Sequence, residues 1–170
     1  FCVERFDRHG GSRRMYASAM TLLEYQDRDS GAGYLDLAEF ISDNGAQDHI
    51  DEDLAQLFRR VVFNVLVGNR DDHLRNHGFI REPSGWRLSP AFDMNPSPTK
   101  SEHALTLDGQ SARPSLDVVL KTVELYRLTT DAAAAIADEV RAVVATWRND
   151  ANVLGMPRPE IQRMESVFLI

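Results

Sequence analysis

The sequence predicts a mainly α fold with one short β-hairpin, and three observations predict it. Residues 51 to 67 place Leu54, Leu57, Phe58, Val61, Val62, Val65 and Leu66 on one helical face. Residues 115 to 127 and 130 to 148 carry further apolar stripes at helical spacing, the second through Ile136, Val140, Val143, Val144 and Trp147. Between these, His77-Gly78-Phe79-Ile80 and Trp86-Arg87-Leu88 read as two strands joined by Glu82-Pro83-Ser84-Gly85, whose Pro and Gly favour a turn. A length of 170 residues suits a single domain with one core.

Taken in order, residues 1 to 7 read as a strand that His9-Gly10-Gly11-Ser12 turns. Met15, Ala19, Leu22 and Leu23 recur at spacings of three and four, which predicts a helix over 13 to 26, broken by Ser30-Gly31-Ala32-Gly33. A short helix from Leu35 to Ser42 stops near Asn44-Gly45. The helix over 51 to 67 opens on three acids at 51 to 53, which suit the positive end of its dipole. Its apolar surface continues around Phe63 and Val67, so it is expected at the centre of the domain, fixing the loop that follows Gly68. Pro90, Pro96 and Pro98 keep residues 90 to 100 extended or irregular. A last helix is expected near 159 to 169, after a turn at Gly155-Met156-Pro157. The C-terminal stripes read as scaffold, since apolar residues at helical spacing are usually core.

Composition narrows the classes of function. With 43% apolar and 26% charged residues, the chain is ordinary for a globular protein. A formal net charge of -7 argues against direct nucleic-acid binding by this segment. The single cysteine, Cys2, excludes an internal disulfide framework and fits a reducing compartment. No apolar run approaches the roughly 18 residues of a membrane span. Cytoplasmic location is the expectation. Seventeen of the nineteen basic residues are arginine, leaving Lys100 and Lys121 as the only lysines, a bias that codon usage explains.

The chemistry-bearing stretch is Arg70-Asp71-Asp72-His73-Leu74-Arg75-Asn76, followed after the hairpin by Phe92-Asp93. An Asp-x-x-x-x-Asn match alone is more often a turn than an active site, because both side chains satisfy turn backbone. Here it lies on a loop between a long helix and a hairpin, where catalytic groups tend to be placed. A carboxylate at the start of such a loop can orient a substrate hydroxyl. The asparagine at its end and a later aspartate can then hold magnesium, a hard cation that prefers oxygen ligands. The hairpin would carry the chain out from Asn76 and back to Asp93, bringing together two ligands 17 residues apart in sequence.

The run Phe63-Asn64-Val65-Leu66-Val67-Gly68-Asn69-Arg70-Asp71-Asp72-His73-Leu74-Arg75-Asn76, with Leu88-Ser89-Pro90-Ala91-Phe92-Asp93, resembles the catalytic and metal-binding segments of the HipA-like serine/threonine kinases. Val3-Glu4-Arg5-Phe6-Asp7 is similar to the hinge strand of that family, and Tyr34-Leu35-Asp36-Leu37-Ala38-Glu39 to a helix preceding its catalytic core. The resemblance has specific motifs over about residues 1 to 95 and continues beyond as a helical pattern. It implies a protein-kinase-like C-terminal lobe spanning 1 to 170, with a hinge strand at 1–7, a catalytic loop at 69–76 and a metal-binding segment at 90–95. It implies Asp71 as catalytic base, Asn76 and Asp93 as magnesium ligands, His73 as a contact to the γ-phosphate of ATP, and Glu4 and Phe6 framing the adenine. It implies a protein substrate phosphorylated on serine or threonine, and a DNA-binding antitoxin as partner. Two departures stand out: Asn69 replaces the histidine of the general kinase His-Arg-Asp triplet, and Met94-Asn95 follow Asp93 in place of Phe-Gly.

A kinase also needs a lysine and a glycine-rich loop ahead of its catalytic loop. No lysine precedes Asp71, and the glycines at 10, 11, 31, 33 and 45 form no phosphate-cradling pattern. The expectation is therefore the larger lobe of a longer kinase, cut at the hinge, with the N-terminal lobe missing and little activity alone. Three alternatives stand beside it. One is a small-molecule kinase, which shares the Asp-x-x-x-x-Asn logic. Another is a hydrolase binding a transition metal through Asp71, Asp72, His73, His77 and Asp93. The third is an inert module that binds an antitoxin.

Overall fold

The computed structural model describes residues 5 to 26, 29 and 31 to 170. It is mostly helical, with a small antiparallel three-stranded sheet. The central element is helix α3 (Ile50–Val67), and the face marked by periodicity is the buried one: Leu54, Leu57, Phe58, Val61, Val62, Val65 and Leu66 are all fully enclosed. Around it pack α2 (Tyr34–Asn44), α4 (Leu116–Leu120), α5 (Thr130–Val144) and the sheet. Of the three acids that open α3, Asp51 and Glu52 face solvent, while Asp53 is buried. Asp53 accepts hydrogen bonds from Arg87 Nε and from the backbone N–H of Leu88, each at 2.9 Å, and so pins the start of the helix to the hairpin.

That hairpin is β4 (Gly78–Glu82) and β5 (Gly85–Leu88), close to the expected bounds. A third strand, β3 (Tyr16–Ser18), pairs with β4 in the register Tyr16↔Ile80, Ala17↔Phe79 and Ser18↔Gly78. It corrects the helix expected over 13 to 26. Only α1 (Ala19–Leu22) is helical there, capped by Ser18 Oγ accepting from Thr21 N at 3.2 Å. Met15, expected to be buried, is 64% exposed: it lies outside α1, and its carbonyl accepts from Arg81 N at 2.8 Å beside the paired strand. Before it, β1 (Arg8–His9) and β2 (Ser12–Arg13) form a small hairpin around Gly10 and Gly11, with φ of 53° and 83°. Of the strand expected over 1 to 7, Phe6 and Asp7 form a turn, and residues 1 to 4, Glu4 among them, lie outside the described residues.

Two expected helices are divided. The stretch 115 to 127 forms α4 and then a 3-10 turn at Val123–Tyr126, and Thr122 Oγ1 donates back to the Val119 carbonyl at 2.7 Å at the break. The stretch 130 to 148 ends as α5 at Val144, and α6 (Trp147–Val153) begins afresh. Thr146 Oγ1 contacts both the Val143 carbonyl at 2.9 Å and Asp150 Oδ2 at 2.7 Å, a side chain competing with the backbone for helix hydrogen bonds. Val143 is 65% exposed, so the apolar stripe is only partly core. The last helix, α7 (Arg158–Glu165), is followed by Phe168, which stacks on Trp147 with centroids 4.4 Å apart.

The junction that positions the site is Gly68. It ends α3 in the left-handed conformation, φ 65°, and a Cβ there would meet Val167 Cγ1 and the Val167 carbonyl at 2.6 Å. Both the turn and the close approach demand glycine.

Candidate active site

The loop after Gly68 is held from below by a buried polar cluster. Asp72, 3% exposed, uses one carboxylate oxygen for three partners: Tyr34 Oη donates at 2.7 Å, Asn64 Nδ2 donates at 2.7 Å, and His77 Nε2 lies at 2.8 Å. Asn69 Nδ2 donates to Asn64 Oδ1 at 3.0 Å and extends the cluster to the start of the loop. Burial and the neighbouring Asp72 carboxylate push the Tyr34 phenol well above its ordinary range. A carboxylate that satisfies buried donors from α2, α3 and the foot of β4 fixes the loop relative to all three.

With Asp72 anchored inward, its neighbour Asp71 points out, its side chain 63% exposed. Asp71, Asn76 and Asp93 line one cleft of about 270 Å³, together with Asn69, Asn95 and the strap Pro96–Lys100. Asn76 is buried by the loop's closing 3-10 turn, and among the described residues no side chain bonds its amide. Asp93 has φ 56°, left-handed backbone that aspartate tolerates better than most residues, and its Oδ1 accepts from Asn95 Nδ2 at 2.8 Å. The segment leading to it is tied to α3 by Arg60, which donates to the Ser89 carbonyl. Burial pushes that guanidinium down to about 10.

Oxygen donors from an amide and a carboxylate facing one cleft fit magnesium, which is commonly held by one or two protein groups while phosphate and water complete the shell. The transition-metal alternative is not built. Asp72 and His77 are bonded to each other in the core, and among the described residues no three His, Cys, Asp or Glu side chains gather as a ligand set.

Lys100 was not among the candidate residues. Its Nζ donates to Asp71 Oδ1, and this contact holds the Asp71 carboxyl below the usual carboxylate range. The sequence signal for it was slight: a rare lysine within a proline-punctuated stretch. His73 is near enough to help lower the Asp71 carboxyl, but it is not among the residues that line the cleft. It lines a separate hollow of about 190 Å³ with Met20, Tyr25 and Arg75.

Phe6 stands over another hollow, of about 590 Å³, that begins one residue before Asp93. Its ring stacks on Phe92 with centroids 6.0 Å apart and an interplanar angle of 26°, and tilts against Tyr16 at 5.5 Å. Pro90 and Ala91 complete the apolar wall. The slot and the Asp71 cleft therefore flank the same short segment.

Residues 1–147 match the family model described as the HipA-like C-terminal domain. A protein of Haemophilus influenzae named "Putative kinase" is 31% identical, over 55% of this chain and 29% of that protein. "Putative kinase Y4dM" of Sinorhizobium fredii is 32% identical, over 52% of this chain and 29% of that protein. The chain thus spans less than a third of these relatives. Among solved structures, the Shewanella oneidensis MR-1 toxin–antitoxin complex of HipA, HipB and operator DNA contains a similar fold. Its TM-score is 0.73 at 18% identity, covering 98% of this chain and 45% of that one.

Proposed function

The chain belongs to the HipA-like C-terminal domain family, and we propose that it forms the catalytic, magnesium-holding lobe of an ATP-dependent serine/threonine protein kinase. The observation that carries this reading is the meeting of Asp71, Asn76 and Asp93 in one cleft beside an aromatic slot. In it Asp71 accepts the proton of a substrate hydroxyl. Asn76 and Asp93 hold magnesium, which when bound neutralises charge on the nucleotide phosphates. Phe6 and Phe92 cover an apolar slot suited to a flat adenine ring; Glu4, which the resemblance also assigns to the adenine, lies outside the described residues. The remaining phosphate contacts come from a lobe outside this chain, in keeping with the 29% of its relatives that the chain spans. The Shewanella complex of HipA, HipB and operator DNA supports a DNA-binding antitoxin as partner, and a cytoplasmic site of action is part of the same proposal. Among the described residues, no helix is long and apolar enough to cross a membrane.

Calorimetric titration of the complete protein with ATP and magnesium tests the reading. Wild type binds, and Asp93→Asn weakens binding about tenfold or more, the worth of one charge-assisted contact. Equal affinity in the two proteins removes Asp93 from the nucleotide site and the kinase reading with it.

A further inference from the structure

The cleft contains a cation that the catalytic loop itself does not supply. The strap that carries Lys100 is stitched to the loop: Ser97 N donates to the Gly68 carbonyl at 2.8 Å, and Ala104 N to the Arg70 carbonyl at 3.1 Å. Arg70 Nη1 in turn donates to the Lys100 carbonyl at 2.5 Å. The backbone of Lys100 is thus fixed while its side chain, 45% exposed, reaches Asp71 on a long unbranched stem that can adopt other rotamers. Among the described residues lining the cleft, Lys100 is the cationic one. His73, to which the resemblance assigns the γ-phosphate, lines the separate hollow with Tyr25 and Arg75.

Resting on the kinase reading, we propose that Lys100 is a catalytic residue that leaves Asp71 and binds the transferring γ-phosphoryl group when ATP occupies the cleft. The acceptor hydroxyl oxygen bonds to the γ-phosphorus as the bond from that phosphorus to the β,γ-bridging oxygen breaks. The hydroxyl proton passes to the Asp71 carboxylate, and ADP leaves. Charge on the three equatorial oxygens meets the Lys100 ammonium as a point charge. The exchange of partners also frees Asp71, whose carboxylate is otherwise neutralised, to accept the hydroxyl. Without nucleotide the ion pair keeps the two groups together, so the strap lysine couples occupation of the phosphate site to release of the base.

The test uses the complete protein, with Lys100→Met, Lys100→Arg and, as control, the surface change Lys121→Met. Calorimetry with magnesium compares ADP with the β,γ-imido analogue of ATP, and transfer to a serine-containing acceptor is timed separately. Lys100→Met lowers affinity for the triphosphate analogue about tenfold or more and leaves ADP affinity unchanged. It lowers kcat without a matching change in the KM of the acceptor. Lys100→Arg recovers part of both, and Lys121→Met matches wild type. A Lys100→Met protein that keeps its preference for triphosphate and its rate overturns the role of Lys100 while the kinase reading stands. A wild-type protein that neither binds the analogue nor transfers phosphate overturns both.

Discussion

Asn64 Nδ2 and Asp72 Oδ2 lie 2.7 Å apart in the core and join the central helix to the loop that displays Asp71. Tyr34 and His77 converge on the same carboxylate oxygen, so α2, α3 and the entry to β4 share one acceptor. A half-satisfied buried cluster is costlier than none, because each orphaned group keeps its desolvation penalty.

Removing members of this cluster therefore costs stability in proportion to what is left unpaired. Asn64→Ala strips one donor from Asp72 and the acceptor from Asn69, and costs about 1–3 kcal/mol. Asp72→Ala orphans the donors of Tyr34, Asn64 and His77 together, and costs about 3–5 kcal/mol. Urea denaturation measures both. An Asp72→Ala protein within about 0.5 kcal/mol of wild type would show that the loop is held by something else.

The strap that carries Lys100 has its own buried anchor. His103 Nδ1 donates to the Asn69 carbonyl at 3.2 Å, and burial lowers the imidazole from its ordinary 6.5 to about 4. The folded protein thus refuses a proton that the unfolded chain accepts. This stability is complete above the unfolded value of 6.5 and drains away as the pH falls towards about 4. The full loss is about 3 kcal/mol. Denaturation midpoints across that window should fall steeply in wild type and much less in His103→Gln. Parallel profiles would locate the acid sensitivity elsewhere.

Legibility in the sequence followed the range of the forces involved. Helix α3 was readable because Leu54, Leu57 and Phe58 mark its buried face within a few turns, α2 because Asn44-Gly45 mark its stop, and the hairpin because Pro83 and Gly85 specify its turn. The strand Tyr16–Ser18 was not, since its partner strand lies sixty residues away and its own spacing mimics a helix. The divisions at Thr122 and Thr146 were hidden for a different reason: each is marked by a threonine hydroxyl bonding back to a carbonyl, which leaves no trace in the apolar stripe that runs through it. In the cleft, the spacing of Asp71, Asn76 and Asp93 was visible because it is local or bridged by one hairpin. The ion pair with Lys100 was not, as a contact across a proline-rich strap leaves no periodic trace. Asp72 shows the converse, a carboxylate that reads as a metal ligand beside His73 and His77 but is buried as a strut.

The two exposed aspartates of the cleft should separate kinetically in the complete protein. Asp71 is an exposed wall residue of the cleft that pairs with Lys100, and its proposed role is towards the acceptor hydroxyl. Asp71→Asn keeps the shape and a hydrogen-bonding oxygen but cannot take the proton, so nucleotide affinity should stay near wild type while transfer falls by about two to four orders of magnitude. Asp93 has left-handed backbone and lines the cleft together with Asn76. Asp93→Asn retains that conformation, since asparagine tolerates it equally, but removes the single negative charge of the proposed metal-holding pair, Asn76 being neutral. Both the nucleotide affinity and the rate should then drop together. Calorimetry with ATP and magnesium, set beside single-turnover transfer, reads the two effects independently. If Asp71→Asn were the variant that lost nucleotide and Asp93→Asn the one that lost only rate, the roles assigned to the two carboxylates would have to be exchanged.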